Sequence, residues 1–151
     1  MDYELRTFTI EEANRLIPEL TTLILELQAK QEEVFDLEVQ IDAQELIENS
    51  HKGNLPSKAL KHLLESHHTC VGEFYAVVER IHQHGCLLKD VQLGLVDFYA
   101  VLNGKVIYLC WQLGEEKVAH WHEVGKGYTN REALPQNLLE DPKEDTHENE
   151  S

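Results

Sequence analysis

Two apolar seams run through the first half of this chain, and no other feature limits its folding as tightly. Leu16, Leu20, Leu23, Leu27, Lys30, Val34, Leu37 and Ile41 recur at alternating spacings of four and three, the pattern that turns one narrow stripe of a helix toward a partner. Leu60, Leu63, His67, Cys70, Phe74, Val77 and Ile81 repeat it. Between them, Asn49-Ser50-His51-Lys52-Gly53-Asn54-Leu55-Pro56 reads as a loop, with Pro56 or Ser57 opening the second helix. Two amphipathic helices on a short connection pack antiparallel, so a coiled-coil-like hairpin is expected over residues 9–84.

The hairpin's ends are marked as clearly. Thr9 and Glu12 form a capping box and Phe8 can staple onto Ala13. The first helix should run to about Glu48 with a bend at Pro18, where a hydrogen bond is lost. Gly85, just past His84, is the natural stop of the second. The first helix is the longer, which leaves apolar surface near its N-terminus to be covered by the C-terminal third, by another subunit, or by both.

The period then changes. Leu95 to Leu102 and Val106 to Leu113 are strand-like and flank Asn103-Gly104, the strongest short hairpin signal. Val118 to Val124 follows as a third strand. The expected fold is α+β: the helical hairpin, then a three-stranded antiparallel β-meander over residues 87–128, folded against the hairpin's base in a single domain of residues 1–138. Residues 139–151 are too acidic to bury anything and are expected to be disordered.

The formal net charge is −15. Residues 9–48 carry eleven carboxylates against Arg15 and Lys30, and residues 140–151 carry six against Lys143. Such a surface repels nucleic acid and anionic lipid; it suits solubility, a cation or a basic partner. No apolar run is long enough to span a bilayer and the first residues lack a secretory pattern, so a cytoplasmic protein is expected. Cys70, Cys86 and Cys110 show no CxxC spacing and should be reduced thiols. Polar residues within the seams specify register and subunit number. An antiparallel count about residues 52–53 brings His67 near Glu38 and Lys30 near Tyr75. Self-association, most simply as a homodimer, is expected, with a further protein partner unidentified.

Candidate chemistry gathers in Leu109 to Tyr128, which holds a cysteine, two histidines and two tryptophans. A two-residue turn at Asn103-Gly104 sets Asp97 opposite Cys110 and Tyr99 opposite Tyr108. Pairing Leu113 with Lys117 adds His120 opposite Cys110 and His122 opposite Tyr108; pairing Leu113 with Val118 sends both histidines to the other face. Carboxylate, thiolate and imidazole are ligands of zinc and related metals, making Asp97, Cys110, His120 and His122 candidate ligands. His82, His84 and Cys86 form a secondary set. Glu115, Glu123, Asp90 and Arg131 are candidate ligand-binding or proton-shuttling groups, with an Asp90–Arg131 ion pair as the plainer reading of those two. No HExxH, GxSxG or phosphate loop is present.

Phe8-Thr9-Ile10-Glu11-Glu12-Ala13-Asn14, Leu16 and Pro18, then Lys89-Asp90, Gly94-Leu95-Val96-Asp97-Phe98, Gly104, Leu109-Cys110-Trp111, Gly114-Glu115, Trp121-His122, Gly127 and Arg131 together resemble the bacterial family catalogued as domain of unknown function 2203. Glu116 stands where that family often has proline. The resemblance implies a bacterial protein and carries no activity. Two functions are therefore weighed: a non-catalytic, self-associating interaction or scaffold module, which most of the sequence pattern favours, and a metal-binding protein or metal-dependent hydrolase built around Asp97, Cys110, His120 and His122.

Overall fold

A computed structural model describes residues 6–49 and 55–139. Helix α1 spans Ile10–Asn49 and α2 spans Lys58–Gln83; five strands follow, β1 (Leu87–Asp90), β2 (Leu95–Leu102), β3 (Lys105–Gln112), β4 (His120–Glu123) and β5 (Glu132–Ala133). The expected α+β order is what the structure has, but the sheet contains five antiparallel strands in sequential order rather than three. The additions are β1 at the front and β5 at the back. The acidic tail from Glu140 onward and residues 50–54 of the connection lie outside the described residues. Among those described, no helix is long and apolar enough to cross a membrane.

The chain divides into two compact units, one made of residues up to Thr21 with everything from Gly85 onward, the other of Thr22–His84. The helical unit is closed at its loop by a side-chain clasp. Ser57 caps α2 by accepting from the Leu60 amide at 3.0 Å, while its own amide and hydroxyl donate to the Glu48 carboxylate at 2.9 and 2.6 Å. Cross-pairs fix the antiparallel register: Lys30 with Glu73 at 3.1 Å, and His67 with Glu38 at 3.4 Å, the partner that counting from the loop gives. Leu23, Ile24, Leu27, Ile41, Leu60, Cys70, Val77 and Ile81 are buried. The helix is unbroken across Pro18.

The sheet unit is organised by the start of α1. The Glu12 amide donates to Thr9 Oγ1 at 3.1 Å and the Thr9 amide to Glu12 Oε1 at 2.9 Å, completing the capping box. Strand β1 pairs only with Leu95, Val96 and Asp97, so the edge of β2 beyond is open to another donor. The Phe8 amide takes it, donating to the Tyr99 carbonyl at 2.7 Å, and the Phe8 ring packs edge-on against Phe98 at 5.1 Å. Farther along α1, Asn14 Oδ1 accepts from the Val118 amide at 2.7 Å. The same face of the sheet buries Val96, Phe98, Ala100, Ile107, Leu109 and Trp111, so the C-terminal part does cover apolar surface at the first turns of α1.

Thr9→Ala should lower stability by about 1 kcal/mol, read from denaturant midpoints. Hydrogen bonds from the Thr9 amide and hydroxyl hold the Glu12 carboxyl below its ordinary 4.5. A depressed acid stabilises above its unfolded value and loses that contribution as pH falls through the folded one. The melting-temperature gap between the parent and Glu12→Gln should therefore be open at neutral pH and close below pH 4.5; a gap that widens in acid would contradict the assignment.

Candidate functional site

The turn between β2 and β3 places Asn103 and Gly104 at φ of 52° and 77°, a type I′ geometry that suits the twist of the flanking strands. Leu102 then faces Lys105, and the pairing carries back to Tyr99 opposite Tyr108 and Asp97 opposite Cys110. On the other side, β3 meets β4 with Tyr108 opposite His122 and Cys110 opposite His120, the first of the two registers considered above. Asp97, Tyr99, Tyr108, Cys110, His120 and His122 thus share the face turned away from the start of α1.

Register makes these groups neighbours, and side-chain direction selects among them. His122 leans across β3, and its Nε2 lies 3.0 Å from Asp97 Oδ2. With Cys110 Sγ these two offer ligand atoms that all lie within 4.8 Å of one another. Asp97 and His122 are 3% exposed and Cys110 is fully buried. His120 is drawn elsewhere: its Nδ1 sits 3.5 Å from Glu115 Oε2, too long for a good hydrogen bond. Arg131 grips both Glu115 oxygens at 3.2 and 3.0 Å, and Glu115 Oε1 also accepts from the Gln112 amide at 2.7 Å. The expected Asp90–Arg131 pair is not formed: Arg131 is forked onto Glu115, and Asp90 Oδ1 accepts from the Leu93 amide at 2.8 Å. Glu123 turns its carboxylate toward Lys105 and Lys126, at 3.6 and 3.7 Å. His82 lies near the end of α2, His84 at its C-cap and Cys86 just before β1; among the described residues, the grouping of three potential ligands is Asp97, Cys110 and His122.

The protons at this cluster are constrained. His122 Nδ1 lies 3.1 Å from the Glu123 carbonyl, and one ring tautomer donates from Nδ1 to that oxygen. In that tautomer Nε2 presents a lone pair beside the Asp97 carboxylate, an arrangement that a proton or a metal ion between them satisfies; in the other, Nε2–H donates to Asp97 directly. Burial raises the Asp97 carboxyl above its ordinary value, opposed by His122, the Cys110 thiol and Lys89. Burial and, after it, the Asp97 charge push the Cys110 thiol up to about 12, against the pull of Arg131. A thiol so held is a poor nucleophile at neutral pH. The hydrogen bond to Tyr99 and burial likewise raise the Tyr108 hydroxyl to about 12.

A cleft of about 490 Å³ opens onto the cluster, with Lys89, Lys126, Tyr108 and Tyr128 in its lining. Sequence reasoning did not single out these four as site residues. Lys89 comes from β1, a strand of four residues that periodicity is too short to reveal, and Tyr128 from a three-residue turn. Lys89 Nζ stands 4.9 Å from the centre of the Tyr108 ring.

A family model described as "Uncharacterized conserved protein (DUF2203)" matches residues 6–134. No curated protein and no solved structure matches the chain.

An acid raised by burial favours the fold fully below its unfolded value and loses that contribution as pH climbs through the folded one. In the presence of chelator, the stability of the parent relative to Asp97→Asn should therefore fall as pH rises from 3.8 through the elevated Asp97 value. A difference independent of pH over that window would show that the carboxyl is not desolvated.

Proposed function

The chain belongs to the DUF2203 family, and for it we propose a metal-binding function, with Asp97, Cys110 and His122 holding a divalent transition ion such as zinc. The observation that carries this is the buried convergence of three ligand atoms, His122 Nε2 and Asp97 Oδ2 at 3.0 Å with the Cys110 sulfur within 4.8 Å of both. Mixed nitrogen, oxygen and sulfur donors suit zinc, and three protein ligands leave a position open to solvent or ligand. The Nδ1 contact with the Glu123 carbonyl is the kind of outer support that orients a ligating histidine. Arg131 and the Glu115 carboxylate it grips would steady the sulfur side, since Arg131 favours the Cys110 thiolate. Glu115 is committed to Arg131 and the Gln112 amide, so a proton-shuttling role is not part of this reading. We place the protein in a reducing bacterial cytoplasm, a setting that suits its three free cysteines.

Tag-free protein should retain about one zinc per chain after dialysis, and Cys110→Ser or His122→Ala should lose it. Calorimetry in buffers of different ionisation enthalpy should register about two protons released per ion near neutral pH, one from Cys110 and one from between Asp97 and His122. Metal-free protein that takes up no zinc would end this reading.

A second reading, self-association, is favoured by a different surface. Phe35, Val39 and Leu46 are 62%, 52% and 75% exposed and lie on one side of α1 by helical spacing. Asp36 and Asp42 neighbour this stripe, so two copies would approach better at high salt. Leu23 and Leu27 are buried within the chain, which makes Phe35→Asp the informative variant. It should reduce the mass seen by light scattering without unfolding the protein; a parent that is monomeric at every salt concentration would dismiss the idea.

A further inference from the structure

We infer that the cleft above Asp97, Cys110 and His122 binds a phosphate-bearing small molecule, gripped by Lys89 and Lys126; this rests on the metal reading and extends it. Charge is the first reason. A divalent ion held by one carboxylate and one thiolate is electrically balanced, so the field in the cleft is set by what lines its walls: Lys89 and Lys126, opposed by Asp90. Asp90 keeps its charge while accepting from the Leu93 amide at 2.8 Å, and the two lysines against this one carboxylate leave the walls net positive. In a chain of net charge −15, two lysines converging on one cleft make a local exception to the surrounding potential.

The state of each lysine is the second reason. Among the described residues, Lys89 forms no ion pair at contact distance, although its charge acts on Asp97; its Nζ stands over the Tyr108 ring at 4.9 Å, a contact an anion can share. Lys126 is loosely paired with Glu123 at 3.7 Å, with its side chain 59% exposed, and such a pair is readily exchanged. The third reason concerns shape. The nearby guanidinium, Arg131, is already forked onto Glu115, so the cleft offers no planar clamp for a carboxylate. Ammonium groups act as point charges and suit a tetrahedral oxyanion. One phosphate oxygen can take the open metal position while others meet the lysines, with Tyr108 and Tyr128 flanking the organic part. About 490 Å³ is the volume of a small-molecule site.

The test uses full-length protein loaded with cobalt, whose visible absorption reports on its ligands. Inorganic phosphate should perturb the spectrum saturably, and Lys89→Gln should weaken that binding about tenfold at unchanged cobalt content. Lys61→Gln, which removes a lysine of α2 outside the cleft, should leave it unaltered. Cobalt bound with no response to phosphate, or a response indifferent to Lys89→Gln, would overturn the inference and leave the metal reading standing. If no cobalt binds, the metal reading fails by itself. Calorimetry of phosphate with the metal-free protein then decides the inference: loss of binding in Lys89→Gln supports it, and absence of binding in the parent overturns it.

Discussion

The candidate site depends on a two-residue turn. With Asn103 and Gly104 both at positive φ, β2 and β3 can close in one register only, and a slip of one residue would carry Asp97 to the opposite face of the sheet. The second connection is pinned by other means. The Trp111 indole donates to the Glu115 carbonyl at 2.9 Å, the Glu115 side chain accepts from the Gln112 amide at 2.7 Å, and Arg131 clamps that carboxylate. The rigidity of this turn comes from Glu115, whose backbone and side chain are both held. Together the two turns align three strands so that Asp97, Cys110 and His122 meet.

The sheet then has two faces with opposite demands. Toward the start of α1 it is apolar and closely packed, with Val96, Phe98 and Trp111 fully buried, and this burial is the main favourable contribution to the unit. On the other face the same strands bury a carboxylate and an imidazole, which costs stability unless each satisfies the other. The hydrogen-bonded pair does so in part, and the elevated Asp97 carboxyl marks what is left uncompensated. Polar burial of this kind follows functional need more readily than stability.

Much of the fold was legible because its signals are local. The capping box at Thr9 and Glu12, the Asn103-Gly104 turn and the seams all act within a few residues, and His67 meets Glu38 because the loop centre sets the count. The short strands β1 and β5 were not legible, since four and two residues carry no period. At the site, pairing placed His120 opposite Cys110, yet the histidine that reaches Asp97 is His122. That choice is made by side-chain direction: the His120 ring turns toward Glu115, with Nδ1 3.5 Å from Oε2, while His122 leans across β3. Arg131 pairs with Glu115 rather than with the expected Asp90, a choice set by the fold of the turn after β3 and not by sequence spacing.

The three thiols also give the molecule a means of reporting its own motions. Cys70 lies in the helical unit, Cys86 and Cys110 in the sheet unit, and all three are buried. Burial raises each, Cys86 to about 11 and Cys110 to about 12. A thiol-directed reagent meets almost no reactive sulfur until a unit opens, so the rate at which each cysteine is modified measures how often its own unit breathes. The two halves of the chain thus carry separate clocks, readable one residue at a time by mass spectrometry of the labelled peptides.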